Sequence, residues 1–389
     1  MRLHARRTDH HLADGRELFY YDDAGAPASA GRDAPDGREL PAMPAGARMR
    51  RDPLTGEWIP LASHRMNRTH LPARADCPLC PSQPPGPPSE VPASDYHVVV
   101  FENRFPSLNS RQAQPPARVD GEPIWPEHPS DGRCEVVCFT SDHESSFAEL
   151  SATRARTVIE AWADRSNDLG TRESVHSVFA FENRGEEIGV TLAHPHGQIY
   201  AYPYVPPRSA QHLLEAGRHH ARTGRDLLGD ILEAEHRSDR RIVVGGHHWS
   251  AFVPAAARWP VEVHLVPHRH VLDMAETNDA ERAELARLYP QLLRALDGFF
   301  EGDDGTPIPL PYIAGWFAAP TETGAPGRRE QRASLPRLHL QVFSVMRAPG
   351  KLKYLAGSES AQGAWVSDTT PEAIADRLHE VYPAAAGAA

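Results

Sequence analysis

One strand pattern is written twice in this chain, and that repetition limits the fold more than any other feature. Residues 135–143 read EVVCFTSDH and residues 262–270 read EVHLVPHRH. Each opens on Glu-Val and carries a histidine eight places later, His143 in the first and His270 in the second. Eight places on again stands a helix-starting residue, Ser151 or Asn278, and FAE (147–149) and MAE (274–276) share one offset. A strand-like run precedes each copy, YHVVVFENRFP at 96–106 and RIVVGGHHWSAFVP at 241–254, and strand-like runs follow each helix. A unit of this length is not a solenoid repeat, so the spacing predicts a duplicated domain. Strands joined locally, with one helix per unit, predict an α+β fold: an antiparallel sheet with flanking helices.

The helices carry their own signals. Asn278 with Glu281 three places later forms an Asn-headed capping box, and Leu285, Leu288, Leu292, Leu296 and Phe299 follow at helical spacing. Pro290 is expected to kink that helix. Ser151 heads a segment whose Val158, Ile159 and Trp162 form a buried face. Proline-rich stretches at 81–92 and 113–129, and a Gly/Pro/Arg-rich stretch at 321–334, read as loops. Residues 1–48, rich in Gly, Ala, Pro and Asp, read as a flexible lead-in, and the terminal AAAGAA is expected to fray.

Charge narrows the function. A net charge of −11 argues against general nucleic-acid or anionic-membrane binding, which require a basic footprint. No apolar run approaches the ~20 residues of a membrane span, and MRLHARRTDHH has no apolar segment behind its basic residues, so a cytoplasmic protein is expected. Four cysteines in 389 residues make no disulfide framework. Of 41 basic side chains only Lys351 and Lys353 are lysines.

Two motifs carry chemistry. Residues 194–198 read His-Pro-His-Gly-Gln after a strand-like run, and on an extended segment positions 194, 196 and 198 point one way. Two imidazoles and a carboxamide therefore converge, and Gly197 reads as a place where a ligand approaches the backbone closely. A neutral imidazole is a good nucleophile toward phosphorus and an equally good leaving group. Cys77-Pro-Leu-Cys80 has the spacing of half a metal site. A redox pair or two inert thiols would share that spacing, and Cys134 and Cys138, on one face of a strand, are competing partners.

HPHGQ, with RDPLTGEWIPLASHR (51–65), CPLC (77–80), FENRFP (101–106), FENRG (181–185) and PEAIADRL (371–378), resembles the galactose-1-phosphate uridylyltransferase family, in the transferase branch of the histidine-triad superfamily. The resemblance runs from about residue 50 to 385. It implies a histidine-triad-like half at 49–210 carrying nucleophile and metal, and a second at 211–389 contributing sugar-phosphate contacts. It implies ping-pong transfer of a uridylyl group between UDP-glucose and galactose-1-phosphate through His196, in galactose metabolism. Gln198 stands where related hydrolases have a third histidine; a carboxamide can donate to a phosphate oxygen but shuttles no proton. The implied structural zinc site is Cys77, Cys80, His143 and His194.

The same resemblance places Arg65 and Arg68 near the substrate phosphates, Asn103 and Phe105 at the uridine, and Asn183 near the phosphates. Lys353 is placed on a sugar phosphate and Glu359 on sugar hydroxyls. The family's Asp beside the uridine is Arg104 here. A second metal, held by a Glu and three His in many bacterial relatives, largely lacks its ligands: the Glu position holds His212, one His is Phe317, and of the final His-x-His only His339 remains, with Gln341 in place of its partner. One metal per chain is therefore expected, and a homodimer with shared sites is implied. A dinucleoside polyphosphate phosphorylase using the same motif is the competing enzyme, and a non-catalytic zinc-stabilised scaffold the competing non-enzyme.

Overall fold

The computed structural model describes residues 2–27, 31–41, 46–62, 71–83, 86–110, 115–328 and 330–387. Eleven strands pair into one antiparallel sheet. In chain order they are β1 (Arg6–His11), β2 (Glu17–Asp22), β3 (Val98–Glu102), β4 (Arg133–Cys138), β5 (Ser177–Arg184), β6 (His196–Tyr202), β7 (Ile242–Gly245), β8 (Trp249–Phe252), β9 (Val261–Pro267), β10 (Tyr312–Phe317) and β11 (His339–Ser344). Across the sheet the order is β1-β2-β3-β4-β6-β5-β10-β11-β9-β8-β7. From the central β5·β10 pair outward, the two sides repeat one connection pattern: β5, β6, β4, β3 on one and β10, β11, β9, β8 on the other.

Helices α1 (Ala152–Gly170) and α4 (Asp279–Asp297) cover one face, α1 following β4 and α4 following β9. Ser151 Oγ accepts from the Arg154 amide at 3.2 Å, and Asn278 and Glu281 make the reciprocal capping box at 2.9 and 2.7 Å. The helices pack against each other and against the strands through Val158, Ile159, Trp162, Leu285, Tyr289 and Leu292, all buried. Truncating Trp162 to alanine there would cost on the order of 3–5 kcal/mol. Helices α2 (Pro207–Thr223) and α3 (Leu227–Ser238) contribute to smaller clusters elsewhere, Leu232 with Phe252 and Val266, Leu213 beside Leu272 and Leu335. On the N-terminal half Leu79 and Tyr96 pack on Leu18, Tyr20, Val99, Phe101 and Val136. With both faces covered, VVVFE in β3 is buried at every position, which hides the alternation a half-exposed strand shows.

The structure departs from the sequence reading in three places. The lead-in read at 1–48 contains ordered structure among its described residues: β1 and β2 pair as a hairpin, and β2 joins β3 with Leu18, Phe19, Tyr20 and Tyr21 buried. Four apolar side chains in LFYY outweighed the polar composition around them. The run 241–254 is two strands, β7 and β8, joined by a turn whose His247, His248 and Trp249 amides donate to buried Glu284 at 3.2, 2.9 and 3.1 Å.

The third departure is a slip of one residue between the copies. Glu135 faces the helices, where Arg165 of α1 donates to it at 2.9 and 2.8 Å. Glu262 faces the other way, 3.0 Å from His264 Nε2. Since strand side chains alternate, the glutamates aligned in sequence are not equivalent. Val137 and Leu265, which both fill the helix-side core, are.

Candidate active site and metal cluster

The loop before β4's neighbour β6 ends at His194, and the strand begins at His196. Cys138 and Val137 of β4 lie opposite His196 and Gly197. Gly197 has a different reason from the expected ligand approach. A Cβ there would sit 2.8 Å from the Phe139 ring and 2.8 Å from the Phe181 carbonyl, so glycine lets protein pack behind the strand. The imidazole and the carboxamide of Gln198 project from the opposite face, both half-buried.

His196 is fixed by one hydrogen bond. Its Nδ1 is 2.7 Å from the His194 carbonyl, which can only accept, so Nδ1 carries the proton and the lone pair resides on Nε2. Burial lowers the imidazole below its ordinary range, opposed by that carbonyl. Two cavities meet at this ring. One, of about 250 Å³, is bounded by Ser145, Ser146, Asn183, Arg184 and His194. The other, of about 190 Å³, runs over Gln198, Val136 and Phe101 to Asn103, Arg104, Phe105 and Glu90. The second has an ordered floor, because Gln198 pairs with Val136 and Val136 with Phe101 across three adjacent strands. Asn103 Oδ1 accepts the Phe105 amide at 2.8 Å and shapes the turn at the far end.

Beside the nucleophile candidate lies a cluster of four donors. One ligand atom each from Cys77, Cys80, His143 and His194 lies within 4.8 Å of all the others. Cys80 Sγ is 3.4 Å from His143 Nδ1 and 3.5 Å from His194 Nδ1. His194 Nε2 is 2.8 Å from the Thr140 carbonyl and 2.8 Å from Tyr96 Oη, which leaves Nδ1 unprotonated toward the sulfur. Burial and the Cys77 charge push the Cys80 thiol up to about 12, and burial pushes His194 down to about 4. Two closely spaced thiols and a neutral imidazole are a donor set that a soft cation would organise. Cys134 and Cys138 are not in the cluster; Cys134 lies 3.7 Å from Ser107 Oγ.

The remaining predicted residues divide. Arg65 and Arg68 lie outside the described residues. Asn103 and Phe105 share the His196–Gln198 cavity, and Asn183 the other. Lys353 and Glu359 line neither. Lys353 is buried, 2.9 Å from Asp368 and 3.6 Å from Glu359, and donates to the Val366 carbonyl. Sequence reasoning missed Glu90, Ser145, Ser146 and Arg184 on the cavity walls, and Tyr96 and Thr140 behind His194. Only strand register and loop packing bring them there, and neither leaves a local signal.

In the second half, His212, His264 and Phe317 gather around His339, with His212 and His339 ring centroids 5.5 Å apart and Phe317 stacked on His339 at 5.4 Å. Among the described residues no helix is long and apolar enough to cross a membrane.

Known proteins resemble this chain over most of its length. The family described as galactose-1-phosphate uridyl transferase, N-terminal domain, matches residues 41–206, and its C-terminal domain matches 211–382. A galactose-1-phosphate uridylyltransferase of Streptomyces lividans is 46% identical over 81% of this chain and 81% of its own length. One of Thermotoga maritima is 32% identical over 85% of this chain and 98% of its own. A solved uridylyltransferase structure, 30% identical, superposes with a TM-score of 0.71, covering 87% of this chain and 99% of that one.

Proposed function

The chain belongs to the galactose-1-phosphate uridylyltransferase family and is a nucleotidyltransferase, and we propose that it moves a uridylyl group between UDP-glucose and galactose-1-phosphate by a ping-pong route through His196. In the first step Nε2 forms a bond to the α-phosphorus of UDP-glucose, and the bond to the glucose-1-phosphate oxygen breaks, that group leaving with the electron pair. In the second, a phosphate oxygen of galactose-1-phosphate attacks the same phosphorus, and Nε2 leaves with its lone pair. The observation that carries this is the locked tautomer: Nδ1–H stays on the His194 carbonyl at 2.7 Å, leaving Nε2 where two cavities meet.

The half at 49–210 supplies nucleophile, nucleotide cavity and metal cluster. Gln198 holds a phosphoryl oxygen through its N–H without activating water, and Asn183 and Arg184 flank the other cavity. Phe105 and Asn103 attend the nucleoside. Zinc fits Cys77, Cys80, His143 and His194, a closed structural site that pins the residue two before the nucleophile. The half at 211–389 supplies Lys353 and Glu359, which serve His196 of a second copy in a homodimer. The reaction belongs to galactose metabolism in the cytoplasm, the Leloir route.

Incubation with UDP-glucose alone, then intact-mass measurement, tests the core of the reading. A uridylyl adduct is expected, absent in His196→Ala and discharged by galactose-1-phosphate; an unmodified wild-type chain would refute it. Sharing of sites has its own test. Inactive His196→Ala and Lys353→Ala variants should regain up to about a quarter of wild-type activity when unfolded and refolded together, since half the dimers would be mixed and carry one complete site.

A further inference from the structure

The family match begins at residue 41, and the segment ahead of it reaches the nucleotide cavity through two arginines, one in the β1–β2 hairpin and one after it. The turn between β1 and β2 leads into Arg16, which is fully buried. Its Nε donates to Asp14 at 2.7 Å, Nη1 to the Glu102 carbonyl at 2.9 Å and Nη2 to Glu90 Oε2 at 2.6 Å. Arg38 lies 2.9 Å from the other oxygen of Glu90. The segment preceding the family match therefore grips both oxygens of one buried carboxylate, and that carboxylate forms part of the wall of the cavity shared by His196 and Gln198.

Glu90 does not stand there alone. Arg104 Nη1 is 3.8 Å from Glu90 Oε1, too far for a hydrogen bond, and its guanidinium lies 5.7 Å from the Phe105 centroid. Its donors thus face the cavity with no short carboxylate contact among the described residues. The floor from Gln198 over Val136 to Phe101 crosses two strand spacings, about 10 Å, the reach of a nucleotide from α-phosphate to base.

Resting on the uridylyl reading of His196, we propose that Glu90 and Arg104 read the edge of the donor's base, and that Arg16 and Arg38 are positioning residues holding Glu90 in place. Uracil presents N3–H between two carbonyls. A carboxylate accepts from that N–H while a guanidinium donates to a neighbouring oxygen. Cytosine and adenine present a ring-nitrogen lone pair beside an amino group, which sets lone pair against carboxylate. The pair therefore selects a 2,4-dioxopyrimidine.

The test uses the full chain with UDP-glucose and CDP-glucose as donors, and calorimetric binding of UMP and CMP. Glu90→Gln and Arg104→Gln should each shrink the UDP-to-CDP preference in kcat/KM about tenfold or more, chiefly through KM. Glu90→Gln should also improve CDP-glucose, because its amide can donate to cytosine N3. Arg16→Gln should act in the same direction but less, since Arg38 still holds one oxygen. A merely structural role would depress both donors together and leave the ratio unmoved; that result overturns the proposal. Should the Glu90 and Arg16 variants fail to fold, the half-exposed Arg104→Gln decides. The UMP/CMP binding ratio reads the same preference without chemistry, so a wild type that binds UMP selectively yet forms no adduct would refute the His196 reading and leave this one standing.

Discussion

The two halves of the sheet place a histidine and a glutamine at the same strand position and use them oppositely. His196 and Gln198 open β6; His339 and Gln341 open β11. Each imidazole Nδ1 donates to the carbonyl two residues back, at 2.7 Å in the first half and 3.0 Å in the second. The halves part at Nε2. In the first, it meets two cavities, and Asn183, next along from Glu182, the partner of Gly197, stands beside it. In the second, Gln341 Nε2 lies 3.0 Å from it, and the cross-strand neighbour is Phe317, stacked on the ring at 14°. Burial, then the charges of His212 and His264, hold His339 well below the ordinary imidazole range. A strand can thus orient two imidazoles identically while one second nitrogen opens on cavities and the other is closed by packing.

The largest test of that contrast is paired deletion. His196→Ala should abolish uridylyl transfer, a loss on the order of 10⁴-fold or more because the covalent step has no other carrier. His339→Ala should leave turnover intact and lower stability by about 1–3 kcal/mol through the orphaned Gln341 and the gap beside Phe317. Steady-state kinetics and urea unfolding on both variants read this directly. A catalytic collapse in His339→Ala would erase the distinction. The glutamines repeat it one step down. Gln198→Ala should lower kcat by about 10²–10³-fold, as loss of a donor to a charged oxygen does, while Gln341→Ala should change stability alone.

The metal cluster sharpens the contrast from another side. His143 shares its cluster with two thiols, whereas His270, at its place in the repeat, has Asp226 at 4.0 Å. Chelation should therefore destabilise the protein by about 3 kcal/mol or more, the effect of losing a ligand held at a hundredfold or greater excess over its Kd. Elemental analysis should find one zinc per chain. Two equivalents would mean that the second half's histidines are loaded as well.

How much of this was legible depended on range. The capping box at Asn278, the alternation that sends His196 and Gln198 to one side, and the Cys77–Cys80 spacing are local patterns present in the structure, whereas His194 precedes the strand and turns to the cysteines. The register between copies was not legible, because one slipped residue leaves the letters aligned while turning every side chain to the other face. The β1–β2 hairpin was hidden by composition averaged over a window wider than LFYY. Lys353, read as a substrate contact, lies within its own chain against Asp368 and Glu359, away from His196. A second copy, which a single sequence does not display, is what would give it another role.

The helix side of the sheet holds the smallest and most diagnostic difference. Opposite Leu340, the residue after His339, stands Trp316, buried among aromatic side chains. Opposite Gly197, the residue after His196, stands Glu182. Its Oε1 accepts from Tyr312 Oη at 2.9 Å, and its Oε2 has no hydrogen-bond partner. Burial pushes this carboxyl up to about 7, against the Tyr312 hydrogen bond and the Arg184 charge. The native state therefore keeps a proton that the unfolded chain releases near 4.5, so stability is greatest at low pH for this group and falls as pH rises between those values. The sum over that window is about 3 kcal/mol, and no further loss is expected above it. Glu182→Gln should remove that slope and raise stability at about pH 8 more than at about pH 5. Urea midpoints measured across this range decide the matter: parallel curves for wild type and variant would show that the first half tolerates the carboxyl in its charged form, and that its core is wetter than that of the second.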